Sequence, residues 1–299
     1  MIEVKNIVKT FGDFNALDGV NMHIQNGSIY GLVGPNGAGK TTLMNTLCGI
    51  YKAAGGEITV DGEAVYENND VKKRIVYISD DVFYFHNSTT KSLKDLYKGI
   101  YSDFDENKFQ EYAKYFPNIN QDMNIRRLSK GMKKQVAFWI AICCSPEILV
   151  LDEPVDGLDP MMRHQIWRLI INEVSEREMT VLISSHNLRE LEDVCDTVGI
   201  MNKGKVFLES SLDDLKTNLS KIQLSFAEEI NTADIGIKIL KEKKTGRVYE
   251  LIVSGDKTEV INKINEFNPL FVEALPLTLE EIFIYEMGEV DNEIKQILI

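Results

Sequence analysis

The sequence lacks any apolar run long enough to cross a membrane. Its longest, Val136 to Cys144, has nine residues, against the ~20 that a spanning helix needs. Cysteine is sparse and unpatterned. Cys48, Cys143, Cys144 and Cys195 form no C-x-x-C pair, which argues against a cysteine zinc site or a dithiol redox motif and leaves reduced, buried thiols. Positive charge is also short, with 33 Lys and Arg against 46 Asp and Glu, a net charge of −13. Duplex nucleic acid is held by clustered cations and is therefore not expected as the main partner. The densest basic stretch holds Arg126-Arg127, Lys130 and Lys133-Lys134. The first residues, Met1 to Ile7, carry no apolar core and no cleavage site, so no secretory leader is expected.

What is present is ordinary for a globular chain: 44% apolar and 26% charged residues. The 299 residues can bury a sizeable core, and at ~150 residues per domain they allow about two domains. Strands are expected at Ile2 to Val8, Val20 to Ile24 and Ser28 to Val33, the last running into a Gly-rich loop and a helix over Lys40 to Cys48. From about Asn87 to Ala141, aromatic and apolar residues recur at helical spacing (Leu93, Leu96, Tyr97; Phe109, Tyr112, Phe116), which predicts a mostly helical insertion. Strand patterns at Ile148 to Leu151, Thr180 to Ser184 and Thr197 to Met201 alternate with helical ones at Arg163 to Val174 and Leu188 to Val194. That alternation suggests a parallel sheet with helices on its faces. A polar break at Ser210 to Ser220 marks a boundary. Beyond it, strands are expected at Ile222 to Phe226, Arg247 to Val253 and Leu270 to Ala274, and helices at Lys257 to Phe267 and Thr278 to Met287, the latter opened by a Thr278/Glu281 capping box.

Two motifs carry chemistry. Gly34-Pro35-Asn36-Gly37-Ala38-Gly39-Lys40-Thr41, continued by Thr42, fits the phosphate-loop pattern G-x-x-x-x-G-K-[ST]. Glycines let the backbone wrap phosphate oxygens, the helix start supplies positive charge, Lys40 reaches the β- and γ-phosphates and the Thr41 hydroxyl suits Mg²⁺. Ile148 to Leu151 then runs into Asp152 and Glu153. A buried strand ending in two carboxylates puts them at the sheet edge where a nucleotide sits, Asp152 for Mg²⁺ and Glu153 for the attacking water.

Leu128-Ser129-Lys130-Gly131-Met132 precedes Asp152-Glu153-Pro154, and Gly157-Leu158-Asp159-Pro160 and Ser184-Ser185-His186 follow. With the Gly34–Thr41 loop, this ordered set resembles the ATP-binding subunit of an ABC transporter over about residues 1 to 215, and within that family the ABC-2-type exporters. The resemblance implies an α/β fold: a P-loop NTPase-type ABC ATPase core over residues 1–215, with a helical subdomain at about 87–141, followed by a small α+β accessory domain over 221–299. It implies ATP and Mg²⁺ as ligands and Phe11 stacked on adenine, although a core aromatic would look the same. It implies Ser129 and Gly131 closing on the γ-phosphate of a second ATPase subunit, identical or related; alone, Ser129 reads as an ordinary helix cap. Asp159 would link the two sites of that dimer, and His186 would contact the γ-phosphate and help position Glu153 and water.

The chain departs from the family at some positions. Asp80 stands where the family has Gln, so its contact with Mg²⁺ or water differs in reach and charge. Lys130 adds a cation beside the phosphate site of the other subunit, and Val155 replaces a usual Thr. The implied function is ATP-driven dimer closure that powers export of an unknown substrate through separate transmembrane permease subunits, with this chain peripheral on the cytoplasmic face of the membrane. Val82 to His86 is either the docking surface for those subunits or packing of the helical part on the core. The accessory domain, with nine basic and 15 acidic residues from Lys221 on, argues against an anionic lipid surface. It stabilises the dimer, senses a ligand or is a passive appendage. The alternative is a soluble ABC ATPase with a regulatory, ribosome-linked or DNA-linked role. One cassette and no heptad run speak against it.

Overall fold

The structure is a computed structural model that describes residues 1–82, 84–213, 219–227, 230–275, 277–278 and 281. By internal contacts the chain divides into two compact units. One joins Met1–Asn187 with Val194–Glu209, the other Leu188–Asp193 with the residues from Ser210 on.

The first unit is built on two sheets. β1 (Ile2–Phe11) and β2 (Phe14–Ile24) form a hairpin, and with β4 (Gly55–Val60) and β5 (Glu63–Ala64) they give a four-stranded antiparallel sheet in the order β2-β1-β4-β5. The second sheet has six strands in the order β10-β9-β3-β8-β7-β6. These are β3 (Ile29–Val33), β6 (Ile75–Ile78), β7 (Ile148–Asp152), β8 (Thr180–Ser185), β9 (Thr197–Asn202) and β10 (Lys205–Ser211). Every residue of β3, β7 and β8 is buried. Such continuous runs mark central strands of a parallel sheet covered on both faces, and β9, β3, β8, β7 and β6 pair in parallel.

That parallel pairing positions the site. The carboxyl ends of parallel strands share one sheet edge, where α/β proteins place their ligands. Gly34 follows β3, Ser79 and Asp80 follow β6, Glu153 follows β7 and His186 follows β8. Val33 pairs with Ser185, and Asp152 with Ser184, so these ends stand level. The helix α1 (Lys40–Leu47) packs on β7 and β2 from the loop after β3.

The expected helical insertion is present as α3 (Thr90–Ile100), α4 (Glu106–Tyr112) and α5 (Lys130–Cys143), after the short α2 (Asn69–Lys73). Capping residues fix the starts: Thr89 and Ser92 exchange the two bonds of a capping box, and Asp105 caps α4. The interior is aromatic. The Phe109 ring stacks on Trp139 at 4.5 Å, Phe116 stacks on it from 5.5 Å, and the Trp139 indole donates to the Phe109 carbonyl. All three rings are buried. Phe109→Ala removes the ring stacked on Trp139, and the expected cost is about 3–5 kcal/mol, read as a lower urea midpoint for unfolding.

α6 (Pro160–Arg177) follows Asp159. The helix expected at Leu188 to Val194 is instead a single 3₁₀ turn, Leu188–Glu190, followed by turns. Leu188, Leu191 and Val194 are buried all the same, so the apolar spacing that suggested a helix serves the packing of these turns.

In the second unit, β11 (Leu219–Ser225), β12 (Lys238–Thr245), β13 (Val248–Ser254) and β14 (Phe271–Leu275) form an antiparallel sheet in the order β12-β13-β11-β14, joined by α7 (Lys257–Asn265). Ile222, Leu224, Leu251, Val253, Val260 and Ile264 fill its core. Sequence patterning missed β12, whose Lys-Ile-Leu-Lys-Glu-Lys-Lys-Thr stretch has no apolar alternation. It is an exposed edge strand, where charge blocks unwanted pairing. Thr278 and Glu281 make the reciprocal bonds of the expected capping box. The remainder of the helix expected there lies outside the described residues.

Candidate functional site

A cleft of about 390 Å³ opens over this sheet edge. Pro35, Asn36, Gly37, Gly39, Lys40, Thr41 and Thr42 line it, with Phe11, Phe14, Ala16, Asp80 and Glu153. Gly34 and Ala38 lie behind the loop. Ala38 is buried, and a side chain at Gly34 would collide with the Met201 carbonyl, so that glycine serves loop packing on β9. Gly37 differs: at φ +82 its α-carbon faces open space, in a conformation that glycine adopts without strain.

The start of α1 is electrostatically unusual. Gly39 gives it no side-chain cap, and no acidic residue stands in its first turn. The other six described α-helices are each capped, by Asn68, Thr89, Asp105, Ser129, Asp159 and Asp256. Uncapped amides and the positive end of the helix dipole therefore meet the cleft, an arrangement suited to an anion. Lys40, 6% exposed, adds an ammonium that donates to the Gly34 carbonyl at 2.6 Å.

The carboxylates sit beside it. Asp152 accepts the Thr41 hydroxyl at 2.7 Å and the Ser184 hydroxyl at 2.5 Å, with the Tyr77 phenol at 3.5 Å. Burial first, and the Asp152 charge second, push the Tyr77 phenol well above its ordinary value, so it stays a donor. One oxygen of Glu153, Oε2, lies 2.8 Å from His186 Nδ1. The other, Oε1, has the Lys40 ammonium at 3.2 Å yet makes no hydrogen bond, although it is buried. An acceptor left over beside a phosphate-loop lysine suits a reacting water.

The donor set also fits Mg²⁺. A hydroxyl and a carboxylate stand adjacent as hard oxygen donors, and Mg²⁺ commonly takes one or two carboxylates plus phosphate oxygens and water. Among the described residues no group of three or more His, Cys, Asp or Glu side chains could hold a metal alone. Asp80 lines the cleft, but its Oδ1 accepts from Lys134 at 3.0 Å.

At the cleft mouth Phe11 and Phe14 pair across the hairpin turn, 48% and 64% exposed. Two open rings there suit a planar base, and Tyr51 buttresses Phe11 edge-on at 5.7 Å. Sequence reading had Phe11 and missed Phe14, whose place at the cleft comes only from the hairpin that sets it opposite Phe11.

Ser129, Gly131 and Asp159 do not line this cleft. Ser129 caps α5, accepting from the Met132 amide at 3.2 Å, and Asp159 caps α6, accepting from Met162 at 3.0 Å; both are exposed. Gly131 packs near the Gly157 carbonyl, which joins the start of α5 to the turn before Asp159. Lys130, expected beside the phosphate of a second subunit, donates to Asp156 of its own chain at 2.8 Å. That bond lifts the Lys130 ammonium and lowers the Asp156 carboxyl from their ordinary values. In the Val82 to His86 stretch, the Tyr84 phenol donates to the Lys133 carbonyl at 2.6 Å, while Phe85 is 59% exposed. Phe83 lies outside the described residues. Burial raises all four thiols, consistent with inert cysteines.

The parallel sheet, the loop between β3 and α1, and the carboxylates at the end of β7 define a P-loop nucleotide hydrolase. Comparison with known proteins narrows this. Residues 17–156 match the family model described as ABC transporter. The ABC transporter ATP-binding protein YtrB of Bacillus subtilis is 32% identical over 288 residues, 96% of this chain and 98% of that protein. The bacitracin transport ATP-binding protein BcrA of Bacillus licheniformis is 33% identical over 289 residues, 94% of each. Among solved structures, an ATP binding subunit of an ABC transporter shares the fold, with a TM-score of 0.66 over 72% of this chain and 92% of that one, at 24% identity. The chain belongs to the ABC transporter family, as an ATP-binding, ATP-hydrolysing subunit. No helix among the described residues is long and apolar enough to cross a membrane.

Proposed function

We propose that this chain powers export by closing a dimer of ATPase subunits around two ATP molecules, with Glu153 as the base that activates water. The observation that carries this reading is the Glu153 carboxylate, held between Lys40 and His186 beside the uncapped start of α1. In this reading the Gly37 to Thr42 backbone and Lys40 bind the phosphates, while Phe11 and Phe14 hold the base. Thr41 and Asp152 would hold Mg²⁺, which would supply positive charge against the phosphates. Glu153 Oε1 takes a proton from water, and His186 keeps the carboxylate aimed. Ser129 and Gly131 act in the site of the second subunit, identical or related; the exposure of Ser129 and the absence of both from their own cleft support that. Asp159, on the exposed turn next to Gly131, carries the state of one site to the other.

Export is supported by the kinship to BcrA, a bacitracin transport protein. The work is then delivered to transmembrane permease subunits from the cytoplasmic face of the membrane, with exposed Phe85, just after Asp80, in the docking surface. A tagged chain recovered from detergent-solubilised membranes of its host is expected to bring a multi-spanning membrane protein with it, and Phe85→Asp to lose that protein. Recovery of ribosomal or DNA-associated proteins only, from well-solubilised membranes, would move the reading to a soluble ABC ATPase.

A further inference from the structure

Lys134 belongs to the basic stretch of the sequence but to none of its motifs, and it is 1% exposed. A lysine is almost never so buried unless it is paired. From the second turn of α5 its ammonium donates to two acceptors, the Asp80 carboxylate at 3.0 Å and the main-chain carbonyl of Glu153 at 2.6 Å. Glu153 is no ordinary backbone position. Its φ is +45, in the left-handed region that residues with a side chain adopt uncommonly. Its amide donates to Ser184 Oγ at 2.9 Å. The peptide groups on both sides of the residue are thus fixed, one by Ser184 and one by Lys134. Between them they set the direction of the carboxylate toward Lys40 and His186.

We propose that Lys134 is a positioning residue for ATP hydrolysis, pinning the strained main chain of Glu153, and that Asp80 acts through Lys134 as its counter-charge rather than on Mg²⁺. This rests on Glu153 being the base. It accounts for the acidic residue where the family has Gln: a buried ammonium needs an anion within reach. It also ties the loop after β6 to the base through one side chain. A shift of Asp80 draws on the same ammonium that holds Glu153.

The test uses the full chain, steady-state MgATP hydrolysis, binding of a fluorescent ATP analogue and a Mg²⁺ titration. Lys134→Met should lower kcat about 10- to 100-fold, the scale of a misplaced catalytic group, with KM and analogue affinity within about twofold. Lys134→Arg, which keeps the charge, should restore much of kcat. Asp80→Asn should lower kcat with the half-saturating Mg²⁺ unchanged. Adding Lys134→Met to Glu153→Gln should cost little more, because both act on one group. A Lys134→Met kcat within about threefold of the parent, or a raised Mg²⁺ requirement in Asp80→Asn, overturns the proposal. If Lys134→Met fails to fold, the half-exposed Asp80 carries the same test. Full turnover in Glu153→Gln would instead overturn the base assignment, whereas an inactive Glu153→Gln beside an active Lys134→Met overturns only the role of Lys134.

Discussion

Glu153→Gln is expected to bind MgATP as the parent does and to lose about 10²- to 10⁴-fold in turnover, the contribution of a positioned general base. Glutamine keeps the size of the side chain and still offers an oxygen to Lys40 or His186, so the cleft keeps its shape. What it loses is the carboxylate that takes a proton from water. Oε1 is the oxygen concerned, since it faces Lys40 at 3.2 Å and carries no hydrogen bond, while Oε2 is engaged by His186 at 2.8 Å. The check is phosphate release at saturating MgATP together with analogue affinity. Unchanged turnover would remove Glu153 from the role of base. Loss of binding as well as turnover would make the residue part of nucleotide binding instead.

Ser129→Arg should abolish the ATP-bound dimer. Ser129 is exposed at the start of α5. Gly131, two residues on, meets the turn at Gly157 and Leu158 that leads into α6, where Asp159 is exposed and Met161 is 85% exposed. A surface of this kind, carrying an uncommitted apolar side chain, fits a closing interface. Arginine there brings bulk and charge onto that surface. It also removes the cap, worth about 1 kcal/mol, so Ser129→Ala is the control that loses the cap alone. In a Glu153→Gln background, light scattering with MgATP should read a dimer for the single variant and for Ser129→Ala, and a monomer once Ser129→Arg is added. A normal ATP-bound dimer with Arg at 129 would sink the model in which Ser129 serves the second site.

Much of the first unit was legible because its signals are local. β3, β7 and β8 hold short apolar cores between turn signals, the pattern of covered parallel strands, and the phosphate loop announces itself in eight consecutive positions. The misses have physical reasons. β12 carries the composition of a surface, because at a sheet edge backbone pairing suffices and the side chains face water. The stretch after Leu188 has helical spacing, but Leu188, Leu191 and Val194 are buried from a 3₁₀ turn and the turns that follow it. Phe14 gave no signal of its own, since an exposed aromatic near a turn acquires meaning only when the hairpin sets it opposite Phe11.

By itself the sequence determined the family, the phosphate loop and the two carboxylates at a strand end, because each is written in neighbouring residues whose spacing the chemistry demands. Only the tertiary structure decided which partners those groups have. Lys134 reaches Asp80 across 54 positions and the Glu153 carbonyl across 19. Nothing in a row of lysines tells which one will be buried. The helix that buries Lys134 and the strand that ends at Glu153 must first be packed together, and only then does one ammonium find both the carboxylate that balances its charge and the strained carbonyl it holds.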